Sequence, residues 1–330
     1  MRIATYNVEW FDSLFDDHGE LLEDEGWSGR RDITRAAQIA ALGRVFTALD
    51  VDAVMVIEAP DTSRRRDGAR ALETFAERFG LRARQALIGF ANDTQQEIAL
   101  LYDPDVVTAL HDPSELGAPR FDQAFAIDLD SDAAPDTVRW SKPPLEVLFE
   151  AEGETLRLIG VHAKSKAPHG ARTPAEATRM AIANRRKALA QCIWLRQRVA
   201  AHLDAKEPLI VLGDFNDGPG LDEYEKLFGR SSVEIVLGEG TATRLHDPHA
   251  ARILSRRAAA APTSARFWIQ PEKRWLQALL DYIMVSPDLA ARCPVWRIWH
   301  PFEDQDCFAD IPLRDALLVA SDHFPVTLDL

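Results

Sequence analysis

Short apolar runs rich in β-branched residues recur along the chain, each bounded by turn-forming residues. They predict strands over residues 3–8, 53–58, 97–102, 145–149, 156–162, 209–214, 280–285, 295–299 and 324–328. Between them the apolar period lengthens to that of helices. Residues 33–49 set Ile33, Ala36, Ala37, Ala40 and Val45 on one face, residues 69–79 form a second helical stretch, and residues 174–202 lead a stripe of Leu189, Cys192, Ile193, Val199 and Leu203. Thr173 before Pro174 reads as an N-cap followed by a first-turn proline. Several strand pairs have no helix between them, so the pattern predicts a mixed sheet, or two sheets packed face to face with helices outside. Residues 112–140 and 241–271 follow neither period and read as irregular insertions, long enough to suggest a functional role.

Composition narrows the class without choosing a function. The 330 residues are 46% hydrophobic and 27% charged, which is globular and excludes a disordered or low-complexity chain. No apolar run approaches the length of a membrane span, and no secretory leader is visible before the first strand. Cys192, Cys293 and Cys307 are odd in number and far apart, which argues against structural disulfides and fits a reducing cytoplasm. The net charge of -14 counts against a protein that coats duplex nucleic acid, but not against an enzyme that meets phosphate at one site. Charge is also uneven. Residues 12–25 hold seven acids and no Lys or Arg, whereas residues 164–198 hold nine bases and one acid, Glu176. The basic stretch either steers an anionic substrate or forms a solvated helix face.

The chemistry-bearing residues fall repeatedly at strand ends. Asn7 and Glu58 close the first two strands, His162 closes another, Asp214 and Asn216 follow Leu-Ile-Val-Leu-Gly, Asp281 opens a strand, and Asp322 and His323 precede the last. Strands that deliver polar groups to one rim are how α/β folds build sites. Carboxylates with amide oxygens suit a hard cation such as Mg²⁺ or Mn²⁺, and two histidines suit proton transfer and charge stabilisation. A strand-end Asp alone reads more readily as a cap or a turn, and a lone His as a surface or satisfied core residue.

Taken together, Thr5-Tyr6-Asn7-Val8, Val56-Ile57-Glu58, Ile98-Ala99-Leu100-Leu101-Tyr102, Gly160-Val161-His162, Gly213-Asp214-Phe215-Asn216, Leu280-Asp281-Tyr282-Ile283 and Ser321-Asp322-His323-Phe324-Pro325-Val326 resemble the endonuclease/exonuclease/phosphatase superfamily, the DNase I-like fold. His162-Ala163-Lys164-Ser165-Lys166 is similar to the form found in its bacterial nuclease-like branch. The resemblance implies a four-layer α/β/β/α sandwich, with one domain filling residues 1–330 and insertions near 112–140 and 241–271. It implies a divalent-metal-dependent phosphodiester hydrolase, most simply a nuclease, with Mg²⁺ or Mn²⁺ as cofactor and nucleic acid or another phosphoester as partner. By the same resemblance Glu58 is the principal metal ligand, supported by Asn7 and Asp322. Asp214 and Asn216 position the attacking water or hold a second metal. His323, paired with Asp281, is a general base or orients the phosphate, and His162 stabilises the transition state or assists the leaving oxygen. Lys164, Lys166 and Asn7 are the expected substrate contacts.

Some positions depart from the pattern. An acid beside the strand at 97–102 pairs with the first histidine in DNase-like members; here Gln96 and Glu97 compete for that place and strand alternation points them to opposite faces. Asp103 stands where a base often follows the strand's aromatic, Tyr102. Arg64-Arg65-Arg66 reads as a basic loop on the same rim, Arg179, Arg185 and Arg186 as an extended phosphate track, and Trp268 and Trp275 either as base-stacking residues or as packing. A small phosphoester is the alternative substrate, with the acidic stretch and the insertions closing a pocket. A scaffold without chemistry is the third reading, disfavoured because every catalytic residue type is present.

Overall fold

The computed structural model describes residues 1–92, 94–128, 136–168, 170–220, 229–255, 260–269 and 273–330. Its strands are, in chain order, β1 (Arg2–Asn7), β2 (Ala53–Ala59), β3 (Gln85–Ile88), β4 (Glu97–Tyr102), β5 (Val107–His111), β6 (Phe125–Ile127), β7 (Asp136–Val138), β8 (Leu145–Ala151), β9 (Glu154–His162), β10 (Leu209–Asp214), β11 (Ala265–Ile269), β12 (Arg274–Ala278), β13 (Asp281–Val285), β14 (Val295–Ile298) and β15 (Val326–Asp329). They form a six-stranded sheet in the order β14-β15-β1-β2-β4-β3 and a five-stranded sheet in the order β13-β10-β9-β8-β5; β6-β7 and β11-β12 are separate hairpins.

Apolar side chains alternate into two directions along the central strands, and this stacks four layers. Between the sheets, Ile3, Met55, Ile57 and Leu100 meet Val147, Leu158, Ile210, Leu212 and Ile283. On the outer face of the six-stranded sheet, Tyr6, Val54 and Val56 pack under helices α1 (Arg35–Leu49) and α2 (Gly68–Phe79) and the helix Ile311–Ala320. On the other outer face, Val161, Val211 and Met284 pack under α3 (Pro174–Asp204). The arrangement is the expected α/β/β/α sandwich. Helix starts follow local capping: Thr34, Asp67 and Thr173 each accept a backbone N–H of the first turn, so α1 begins two residues later than the apolar pattern predicts. The buried face of α3 runs through Cys192, Leu195 and Val199, while Leu189 and Ile193 are half-buried at its edge.

The expected insertions are not structureless. Residues 112–140 contain β6 and β7, and residues 241–271 contain the helix Pro248–Leu254 and β11; positions 129–135, 256–259 and 270–271 of them lie outside the described residues. Arg198 of α3, fully buried, pairs with Glu146 and donates to the carbonyls of Leu116, Ala118 and Pro119, which ties the first insertion to the sheet.

Topology brings the polar strand ends together. Each sheet has one parallel pair at its middle, β1 with β2 and β9 with β10, and the remaining pairs are antiparallel. Parallel strands end on one rim, and an antiparallel neighbour begins there. β10 therefore sets Asp214 beside His162 on one flank and Asp281 on the other. Gly213 makes that junction possible. Its φ is 139°, and a Cβ there would lie 2.0 Å from the Val161 carbonyl oxygen.

Candidate active site

On the six-stranded sheet, β1 ends at Asn7 and the chain turns through two successive left-handed residues, Glu9 (φ 40°) and Trp10 (φ 60°). The turn aims two backbone donors inward: Glu9 N–H donates to Asn7 Oδ1 (3.0 Å) and Trp10 N–H to Glu58 Oε2 (2.9 Å). Glu58 is itself left-handed (φ 63°) and sits where the β2–β4 register slips between Ile57 and Ala59, a bulge that re-aims its side chain. Gln96 Nε2 donates to the same Oε2 (2.6 Å), and among the described residues Oε1 accepts no hydrogen bond. Burial raises the Glu58 pKa, offset in part by the Lys142 charge.

Across the rim, Asp214 collects donors. Oδ1 accepts from Asn216 N–H (2.7 Å), and Oδ2 accepts from the amides of Asn216 (3.1 Å) and Asn7 (3.0 Å), so Asn7 bridges the two sheets. Burial pushes the Asp214 carboxyl up to about 7, against the lowering pull of His323. Its Oδ2 lies between two imidazoles, 3.7 Å from His162 Nε2 and 3.9 Å from His323 Nε2.

The two histidines differ in what holds them. His323 Nδ1 donates to Asp281 Oδ2 (2.8 Å), and Ser264 Oγ donates to the same oxygen (2.8 Å) while accepting from the N–H groups of Leu280 and Asp281. Burial opposes the imidazolium, but Asp281 and Asp214 outweigh it and hold the His323 pKa well above its ordinary value. His162 Nδ1 instead lies 3.2 Å from Lys142 Nζ, which also donates to Gln96 Oε1. Burial and the Lys142 charge push the His162 pKa well below its ordinary value.

Asn7, Glu58, His162, Lys164, Lys166, Asp214, Asn216, Asp322 and His323 thus line one open cleft of about 1460 Å³, with Asp281 buried directly behind His323. Lys164 lines the wall, its backbone N–H donating to Gln191, while Lys166 forms an ion pair with buried Asp217. Arg185 and Arg274 also face the cleft, whereas Arg186 pairs with Asp136.

Three expectations change. Neither Gln96 nor Glu97 pairs with His162: Glu97 turns away to Asn92, and Lys142 stands between Gln96 and the imidazole. The 64–66 arginines do not act as one loose basic loop, since Arg66 is spent on the carbonyls of Asp12, Phe15 and Asp16 and on Asp61. Trp268 and Trp275 are not core: they are 39% and 51% exposed and meet edge to face on the β11–β12 hairpin. Lys142 and Ser264 escape sequence reading. One signal existed for Lys142: it lies just before β8, whose Leu145 pairs with Gly160, two residues short of His162.

The donors fit a hard divalent cation. Glu58 is a half-buried carboxylate whose Oε1 accepts no hydrogen bond among the described residues, Asn7 Oδ1 keeps a second lone pair, and Asp322 adds a partly exposed carboxylate beside His323. Asp214, Asp281 and His323 also offer atoms within 4.8 Å of one another, but His323 and Asp281 there already satisfy each other.

A family model described as the Endonuclease/Exonuclease/phosphatase family matches residues 4–323. The chain belongs to that family. It is therefore a phosphoester hydrolase of a divalent-metal-dependent family. No curated protein matches the sequence significantly. Among solved structures, D. rerio TDP2 complexed with single-strand DNA product is similar at 12% identity and TM-score 0.53, covering 99% of this chain and 97% of that one. The 3' phosphatase NExo from Neisseria, bound to a product DNA hairpin, is similar at 15% identity and TM-score 0.51, covering 100% and 99%. A mannosyl-6-phosphatase of Bacteroides thetaiotaomicron is similar at 14% identity and TM-score 0.50, covering 100% and 98%. At these identities the likeness establishes the shared DNase I-like fold. Among the described residues no helix is long and apolar enough to cross a membrane.

Proposed function

We propose that this hydrolase is a nuclease, acting as one domain on the phosphodiester backbone with Mg²⁺ or Mn²⁺. The observation that carries the reading is the cleft. It holds Asp214 between two imidazoles, and its walls present Lys164, Arg185 and Arg274 with the exposed rings of Trp10 and Trp268. Its volume of about 1460 Å³ exceeds the ~300–1,000 Å³ typical of small-ligand pockets. Cations that follow a backbone and rings that stack on bases are the two elements of single-strand binding. Net acidity does not oppose this, because acids of the 12–25 stretch are paired locally: Asp17 with Arg65, Glu23 with Arg78 and Asp24 with Arg35. That pairing also weakens the small-phosphoester alternative, which needs the stretch as an acidic pocket wall.

Glu58, Asn7 and Asp322 would hold the metal, which when bound offsets phosphate charge and makes water a better nucleophile. Asp214, held by Asn7 and Asn216, accepts the water's proton; a carboxyl titrating at about 7 suits that task near neutrality. His323, kept cationic by Asp281, faces the non-bridging oxygens and stabilises their growing charge rather than acting as base. The cytoplasm is the proposed compartment, supported by the three free thiols.

End-labelled single- and double-stranded oligonucleotides, incubated with Mg²⁺, Mn²⁺ or chelator, test the reading. Metal-dependent cutting that disappears in Asp214→Asn is expected. Intact oligonucleotides alongside rapid hydrolysis of a sugar phosphate or nucleotide would overturn it in favour of a small phosphoester.

A further inference from the structure

A chain of four side chains joins the two halves of the rim. Gln96 Nε2 donates to Glu58 Oε2, leaving Gln96 Oε1 as the acceptor at its far end, and Lys142 Nζ donates to that oxygen. The opposite amide orientation would set an N–H₂ against an ammonium and a carbonyl against a carboxylate, so the network fixes it. The same ammonium reaches His162 Nδ1 at 3.2 Å. An ammonium has donors and no acceptor, so Nδ1 must accept. A neutral imidazole that accepts at Nδ1 carries its proton on Nε2, and this is the nitrogen that faces the cleft, 3.7 Å from Asp214 Oδ2 and 3.9 Å from Glu58 Oε1.

We propose that Lys142 is a positioning residue that locks His162 as the neutral Nε2–H tautomer, so that His162 serves the phosphoester as a hydrogen-bond donor and not as a proton-transfer group. The inference rests on the hydrolase site described above. It reverses the logic expected of an acid–histidine pair. A carboxylate at this place accepts from Nδ1–H; Lys142 donates to Nδ1 instead and leaves the proton on Nε2. It also explains why a half-buried cation stands at the base of the cleft with its head between an amide oxygen and a ring nitrogen.

The test is a long-range ¹H–¹⁵N correlation spectrum of the full chain labelled at histidine, recorded without metal or substrate. His162 is assigned by the signal lost in His162→Gln. The expected wild-type ring is singly protonated at Nε2. Lys142→Met is expected to give mixed Nδ1–H and Nε2–H tautomers, and Lys142→Arg to restore Nε2–H. In the cleavage assay Lys142→Met should lower kcat about 10- to 100-fold, the range for partners that orient a site group, with KM within about twofold. Lys142→Arg should recover most of the loss. A wild-type ring protonated at Nδ1, or a Lys142→Met protein whose His162 pattern is unchanged, overturns the assignment. If Lys142→Met fails to fold, the wild-type and Lys142→Arg spectra still decide it. A protein that cuts no nucleic acid sinks the nuclease reading alone, since the tautomer is read without turnover.

Discussion

The two histidine corners of the cleft begin alike and end opposite. His162 and His323 are both buried, both reach a rim of the sandwich, and both present Nε2 to the same oxygen of Asp214, at 3.7 and 3.9 Å. Burial acts on both in the same direction, against charge. The difference lies one bond further out. Asp281 at Nδ1 makes His323 a cation, and Lys142 at Nδ1 makes His162 a neutral donor. The role of an imidazole in this site is therefore assigned by the partner on its rear nitrogen, not by its distance from the reacting group.

Removing the shared neighbour should have the largest effect. Asp214→Asn keeps the shape and the strand but cannot accept a proton, and turnover should fall at least about 10²-fold. Stability should lose a pH dependence. The folded Asp214 pKa, about 7, lies above the ordinary carboxylate value, so the stability tied to this group is present in acid and lost as pH rises through 7. The lead of wild type over the metal-free variant should therefore be smaller at about pH 8 than at about pH 5. Turnover within a few-fold of wild type would remove Asp214 from the chemistry.

Breaking one corner sharpens the contrast. Asp281→Asn takes away the strongest attraction holding the His323 proton, and turnover should drop about 10²-fold. The His323 pKa is raised in the folded protein, so its contribution is fully present below the unfolded value near 6.5 and is lost as pH climbs through the folded value. Urea unfolding from about pH 6 to about pH 9 should show the wild-type advantage over Asp281→Asn shrinking as pH rises. A constant difference across that range would mean that His323 is not the cation of the pair.

The two corners were also unequally legible. Asn7, Glu58, His162, Asp214, Asn216, Asp281, Asp322 and His323 stand at strand ends, and strand direction alone carries them to one rim. Alternation correctly separates Gln96 from Glu97 but cannot say which one faces the cleft, because that depends on the slip at Glu58. Lys142 is harder still. It lies in Ser-Lys-Pro-Pro at the end of an insertion, and its partners are Gln96, just before β4, and His162 of β9, so no local period marks it. The hairpins β6–β7 and β11–β12 were missed because each belongs to neither main sheet and lacks a long apolar face.

The smallest effect should come from the support behind His323. Ser264 Oγ donates to Asp281 Oδ2 and accepts two backbone N–H groups, so it steers the carboxylate without touching the imidazole. Ser264→Ala leaves those two buried donors without their acceptor, a loss of about 1–3 kcal/mol in unfolding free energy. The Asp281 carboxylate, relieved of one donor, attracts the His323 proton at least as strongly as before, so the cation persists. What is lost is orientation, and turnover should fall by less than about 10-fold. The pH dependence of stability should keep its wild-type slope. If Ser264→Ala instead flattens that slope as Asp281→Asn does, then Ser264 and not Asp281 governs the charge on His323, and the contrast between the two corners fails.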